Sequence, residues 1–159
     1  MTTIGAWVIQ ARDAEVVEEP SLWLLADSSH TGGLLGANRL YLEIGAPGTK
    51  PHYHQRSAEA FYVLNGTLRM LVGTELVTMD RGGYVVIPAG VRHAFAAAPD
   101  TFADVFVTLV PGVERFGYFR LLPEILRGNL PDEEVARIHE QYDVNFVDSL
   151  EWDAANAAL

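Results

Sequence analysis

The sequence contains no cysteine, which excludes disulfides and thiolate metal ligands together. It has few bases: eleven Lys and Arg stand against twenty-one Asp and Glu, for a formal net charge of −10. An acidic surface repels phosphate backbones and anionic lipid, so neither nucleic acid nor a membrane is expected as a partner. No apolar run reaches the length of a membrane span, and the segment Thr2 to Gln10 lacks the basic start of a secretory leader, so a cytoplasmic location is expected. Internal repeats, low-complexity linkers and a second composition regime are also missing.

What remains is an ordinary globular composition, 49% hydrophobic and 20% charged over 159 residues, enough for one domain with a sizeable core. The acidity is uneven. From Pro131 onward eight acids face one base, Arg137, leaving thirteen acids and ten bases before it. That acidic end reads as a solubilising surface.

From Leu22 to Ala26 a short apolar run fits a buried strand, and Asp27 to Gly33 is loop chemistry in which His30 reads as a surface histidine. Leu40, Leu42 and Ile44 then alternate with Tyr41 and Glu43 at strand period. Strands are expected over Glu59–Leu64, Thr67–Val72, Glu75–Met79, Tyr84–Ile87, Val91–Ala96 and Phe102–Val110. The first two of these are read as a hairpin about Asn65-Gly66. Gly66, Gly82, Gly83 and Gly90 are read as turn residues. No helix-length segment separates strands between 39 and 112, which excludes parallel βαβ units and favours an antiparallel sandwich or barrel. Helix is expected only afterwards: a turn or two at Leu121–Arg127, then a helix opening at Asp132-Glu133-Glu134 behind Pro131. Val135, Ile138 and Tyr142 would dock that helix, with His139 exposed; Asn145 to Val147 would add a short strand, and the Ala-rich end would fray.

The chemistry gathers between Gly45 and Gly66. His52 and His54 lie two residues apart, so in extended chain both imidazoles leave the same face. Glu59 opens an apolar run, and a carboxylate there is costly unless paired or bound to a cation. Singly, each residue has a plainer reading. The two histidines could be a polar strand end, His93 a turn histidine, and Glu59 an ion-pair partner for Arg56 or Arg92. Together, three imidazoles and a carboxylate suit a divalent transition metal such as Ni, Mn, Fe, Co or Zn, without choosing among them. Phe61 and Phe95 share register with Glu59 and His93, which puts them at the same interior as substrate-pocket candidates.

These residues form two motifs. In the first, His52 and His54 are followed by Glu59 and, after six residues, Gly66; in the second, Gly82, Pro88, Gly90 and His93 keep fixed intervals. The pair resembles the two motifs of the cupins, apart from a displaced leading glycine (Gly45 or Gly48) and Ala97 in place of a final asparagine. The resemblance covers roughly residues 39–112. It implies an all-β jelly-roll β-barrel with short C-terminal helices: one domain over 1–159, with the barrel at about 20–112 and a helical extension at about 113–147. It further implies His52, His54, Glu59 and His93 as metal ligands and a homodimer paired through sheet edges.

The segment Val110 to Phe119 is similar to the stretch that leaves the barrel in quercetin 2,3-dioxygenase-like cupins. That likeness implies a metal-dependent dioxygenase in which Glu59 is also the catalytic base, acting on a flavonol-like or other aromatic enol with dioxygen in a pocket of few fixed charges. Two alternatives stand beside it. One is a metal-dependent cyclase or isomerase of polyketide-like substrates that uses no dioxygen; the other is a non-catalytic small-molecule-binding cupin.

Overall fold

A computed structural model describes residues 5–159. Alternation of buried and exposed side chains builds most of the strands. Strand β2 (Ser21–Ala26) buries Leu22, Leu24 and Ala26, and β3 (Gly36–Leu42) buries Asn38, Leu40 and Leu42. The expected continuation to Ile44 does not occur: β3 ends at Leu42 and Ile44 is exposed. The other strands are β1 (Glu15–Val17), β4 (Thr49–Tyr53), β5 (Ala58–Val72), β6 (Glu75–Asp80), β7 (Tyr84–Ile87), β8 (His93–Ala97), β9 (Ala103–Val110) and β10 (Asn145–Phe146). All pairings are antiparallel.

Strand β5 joins the two halves. Its first half, Ala58 to Gly66, pairs with β9 and β7; its second half, Thr67 to Val72, pairs with β6 and β8. One layer therefore runs β1-β2-β3-β9-β5, and the other runs β5-β8-β4-β10. Leu24, Leu40, Phe61, Val63, Leu68, Met70, Val105 and Val107 fill the space between them. This is the jelly-roll arrangement in which one long strand belongs to both sheets.

The hairpin expected at Asn65-Gly66 is not there. The chain runs straight through as a fifteen-residue strand, and the positive φ that glycine supplies (Gly66, φ +75) bends it instead of reversing it. A register shift against β9 between Val63 and Asn65 marks the bulge. Bulges and tight hairpins use the same left-handed residue, so the local signal does not separate them. A Cβ on Gly66 would lie 1.9 Å from the Phe102 carbonyl oxygen, which shows how closely the backbones approach at the bend.

After β9 the chain forms α1 (Phe116–Leu126), α2 (Asp132–Gln141) and α3 (Leu150–Ala157). Helix α1 starts five residues before the expected Leu121, because Asp27 supplies the cap its own sequence lacks: the Asp27 carboxylate accepts the N–H groups of Arg115 at 2.7 Å and Phe116 at 3.0 Å. The Ala-rich end does not fray. Ser149 caps α3 by accepting the Trp152 N–H, and Trp152 is buried against Leu71, Ala94 and Ala96 on the back of the second sheet. His139 is half-buried on α2, with its ring 4.9 Å from that of Phe146. His30 is exposed, and stacks on Trp7. Among the described residues no helix is long and apolar enough to cross a membrane.

Candidate metal centre and its cavity

Register brings the four polar candidates together. His52 on β4 pairs directly with His93, the first residue of β8. His54 follows β4, and Glu59 is the second residue of β5, opposite Leu109 of β9 and Ile87 of β7. One potential ligand atom from each of the four lies within 4.8 Å of all the others, and all four residues are buried. The ion-pair reading of Glu59 fails on geometry: Arg56 faces Asp143 at 3.6 Å and Arg92 faces Glu151 at 3.2 Å.

The histidines are oriented by the backbone. His52 Nδ1 lies 2.8 Å from the Lys50 carbonyl, His54 Nδ1 2.7 Å from the Asp143 carbonyl, and His93 Nδ1 3.0 Å from the Val91 carbonyl. A carbonyl only accepts, so each Nδ1 carries the proton and each Nε2 electron pair is free for a ligand or a second proton. Those Nε2 atoms converge on Glu59, whose Oε2 is 2.7 Å from His93 and 3.2 Å from His54. Electron pairs packed against a carboxylate repel unless a cation lies among them, and this donor set of nitrogen and oxygen suits a divalent transition metal. The residues fit the group.

Electrostatics records the crowding. Burial, and then the neighbouring His93 and His54, push the His52 pKa down to about 3. Burial alone would raise the Glu59 carboxyl, but the His54 and His93 imidazoles outweigh it and hold it well below the usual range.

Beside the cluster lies a cavity of about 100 Å³. His52 and Glu59 reach it, Phe61 and Phe95 both line it, and their rings stand 5.4 Å apart. Its other wall comes from α1 and the residue before it: Arg115, Tyr118 and Phe119. Arg115 was not legible as a site residue; it joins Glu59 on a lining that otherwise has few fixed charges. Its guanidinium is buried, with Cζ 5.7 Å from the Tyr118 ring and 5.9 Å from the Phe119 ring.

Asp143 is the second residue that sequence reasoning missed. Counted there as part of a solubilising acidic end, it is buried at φ +57. Its carboxylate accepts the N–H groups of Gln55 at 2.9 Å and Arg56 at 2.8 Å, while its carbonyl receives the His54 Nδ1–H. The C-terminal segment thereby clamps the loop that carries His54.

A family model described as the cupin domain matches residues 38–110. That match, over a little under half of the chain, agrees with the two-layer barrel. The chain has the cupin fold. Solved cupin structures resemble this one over most of its length. KdgF from a Halomonas species is 24% identical, covering 69% of this chain and 96% of its own, with a TM-score of 0.57. An RmlC-like cupin from Shewanella frigidimarina is 18% identical, covering 70% and 96%, with a TM-score of 0.58. A Streptomyces Pac13 variant with uridine is 15% identical, covering 70% and 86%, with a TM-score of 0.56, and Pac13 is described as a nucleoside dehydratase. At these identities the likeness carries the cupin fold and no activity. No curated protein matches the sequence.

Proposed function

We propose that this cupin is a metal-dependent enzyme that moves a proton on a small enolisable substrate, with His52, His54, Glu59 and His93 as metal ligands and Glu59 as the base. The observation that carries the reading is the backbone locking of all three imidazoles, which aims their Nε2 atoms at one carboxylate beside a cavity. A divalent ion held by these groups supplies a Lewis acid that makes a bound enol, carbonyl or water more acidic. Both histidine contacts of Glu59 fall on Oε2, which leaves Oε1 to receive a proton from substrate in the cavity. Phe61, Phe95 and Leu42 keep the space apolar, and a dry wall strengthens the electrostatic interactions inside it.

Volume bears on substrate size. An engineered cavity of about 150 Å³ holds one benzene ring, and this one measures about 100 Å³. A three-ring flavonol would have to extend out through the mouth of this cavity, so the flavonol dioxygenase becomes the second reading. In its favour, the segment that carries that resemblance, Val110 to Phe119, furnishes one wall of the cavity through Arg115, Tyr118 and Phe119.

The test is solvent-deuterium incorporation into a panel of small enolisable carbonyl compounds by metal-loaded protein, with oxygen uptake followed in parallel. Exchange without oxygen uptake, abolished in Glu59→Gln, is the expected result. Oxygen consumed in step with substrate would move the protein to the dioxygenases. No turnover with any of the metals Ni, Mn, Fe, Co or Zn would make it a binding protein.

A further inference from the structure

Two arginines show how this chain holds carboxylates. Arg39 presents its Nε–Nη2 edge to Asp104 at 2.7 and 2.6 Å, and Arg120 presents the same edge to Glu15 at 2.8 and 2.7 Å. This is the fork geometry that makes guanidinium selective for planar anions. In Arg115 the same edge carries no carboxylate. Its Nε is buried with no hydrogen-bond partner, and its Nη2 faces His54 Nε2 at 3.3 Å. Nη1 is the atom that anchors the group, donating to the Tyr142 carbonyl at 2.7 Å and lying 3.5 Å from His54 Nδ1.

The residue is 6% exposed, and among the described residues no carboxylate oxygen lies within 4.0 Å of its guanidinium nitrogens. Glu59 and Asp143 act on it only at longer range, and a buried cation with no carboxylate on its fork is costly, yet the fold goes to lengths to hold this one. Asp27 fixes its backbone N–H, and the Tyr118 and Phe119 rings confine its side chain. Arg115 lines the same cavity as His52 and Glu59. A metal on His54 would also take the electron pair that Nη2 faces, freeing the whole edge. A divalent ion, the Glu59 carboxylate and the Arg115 guanidinium then leave a net charge of +2 around the cavity.

We propose that the Nε–Nη2 edge of Arg115 is a carboxylate-binding subsite of this cavity, so that the substrate is a small carboxylic acid whose carboxylate is held there while its enolisable end reaches Glu59. The proposal rests on the metal-enzyme reading for the reacting end of the substrate; the unpartnered Nε offers the anion site without a metal, and a metal on His54 would strengthen it by releasing Nη2.

Pyruvate and its neutral amide, pyruvamide, serve as matched probes in calorimetry on the full chain, both metal-free and loaded with Co²⁺. A charge-assisted pair of hydrogen bonds is expected to favour pyruvate by about 10- to 100-fold. Arg115→Met should remove that preference while binding Co²⁺ normally, and Arg115→Lys should keep part of it. If the variants fail to fold, NMR of the wild type carries the test: the Arg115 Nε–H resonance should move with pyruvate and stay put with pyruvamide. Equal affinity for the two probes in wild type, an unchanged preference in Arg115→Met, or a stationary Nε–H signal would overturn the subsite. A protein that prefers pyruvate but binds no metal would support the subsite and refute the metal-enzyme reading. Normal metal binding without the preference would refute the subsite alone.

Discussion

Metal uptake at this centre should release a proton, and His93 is where it comes from. His93 Nδ1 lies 3.0 Å from the Val91 carbonyl and Nε2 lies 2.7 Å from Glu59 Oε2, so the metal-free ring has an acceptor at each nitrogen. Burial alone would lower its pKa, but the hydrogen bond to Glu59 and the Glu59 charge outweigh that and raise it above the usual value. A metal needs the Nε2 electron pair that this proton occupies. Affinity should therefore fall about tenfold per pH unit on the acid side of the raised His93 pKa and level off on the alkaline side. His52, held down to about 3, is deprotonated throughout that range, and Glu59, held low by its two imidazoles, is ionised. At least one proton per ion is the expectation. Calorimetry of Co²⁺ binding in two buffers of different ionisation enthalpy counts the protons directly: at least one at about pH 6, with the His93 proton lost from the count well above the His93 pKa. A count of zero at every pH would refute the His93–Glu59 pairing as the proton that the metal displaces.

Other outcomes follow from the same geometry. At matched metal occupancy, Glu59→Gln should lose about 10²–10⁴-fold in turnover; agreement within a few-fold would make Glu59 a ligand and nothing more. Asp143→Ala removes the acceptor for the Gln55 and Arg56 N–H groups and unsettles the loop bearing His54, so metal affinity should fall about 10- to 100-fold; unchanged affinity would show that the His54 loop holds without that clamp. Gly66→Ala meets both a strained φ and the Phe102 oxygen at 1.9 Å, an atom already bonded to Thr67 N–H. It should cost about 3 kcal/mol or more, or about 6–12 °C of melting temperature. Gly90→Ala, with φ +82 and open space around it, should cost about 1–2 kcal/mol. Equal shifts in the two melts would mean that the Phe102 contact relaxes freely.

The contrast between what was and was not legible in the sequence has a physical basis. His52, His54 and Glu59 lie within eight residues of one another, and His93 keeps its interval from Gly82 and Pro88, so local spacing was enough to group them. Strand period likewise predicted β2, β3 and β6 to β9 to within a few residues. Arg115 and Asp143 act only because α1 and the C-terminal segment dock on the barrel, eighty to ninety residues from the loops they contact. No window of sequence displays that. Asn65-Gly66 misled for the opposite reason: its local chemistry is real, but two partner strands on each half of β5 overrule a turn. Helix α3 is hidden behind an alanine-rich composition, because what holds it is the Ser149 cap and one anchoring tryptophan, Trp152.

The central claim is that four side chains make one metal centre, and Co²⁺ titration of the metal-free protein tests it most directly. Wild type is compared with His52→Ala, His54→Ala and His93→Ala, following visible absorption and melting temperature together. The predicted result is one ion per chain in wild type and at least ~100-fold weaker binding in each variant, while every variant melts close to metal-free wild type. One-to-one binding that survives all three substitutions, or wild type that takes up no ion, would contradict it.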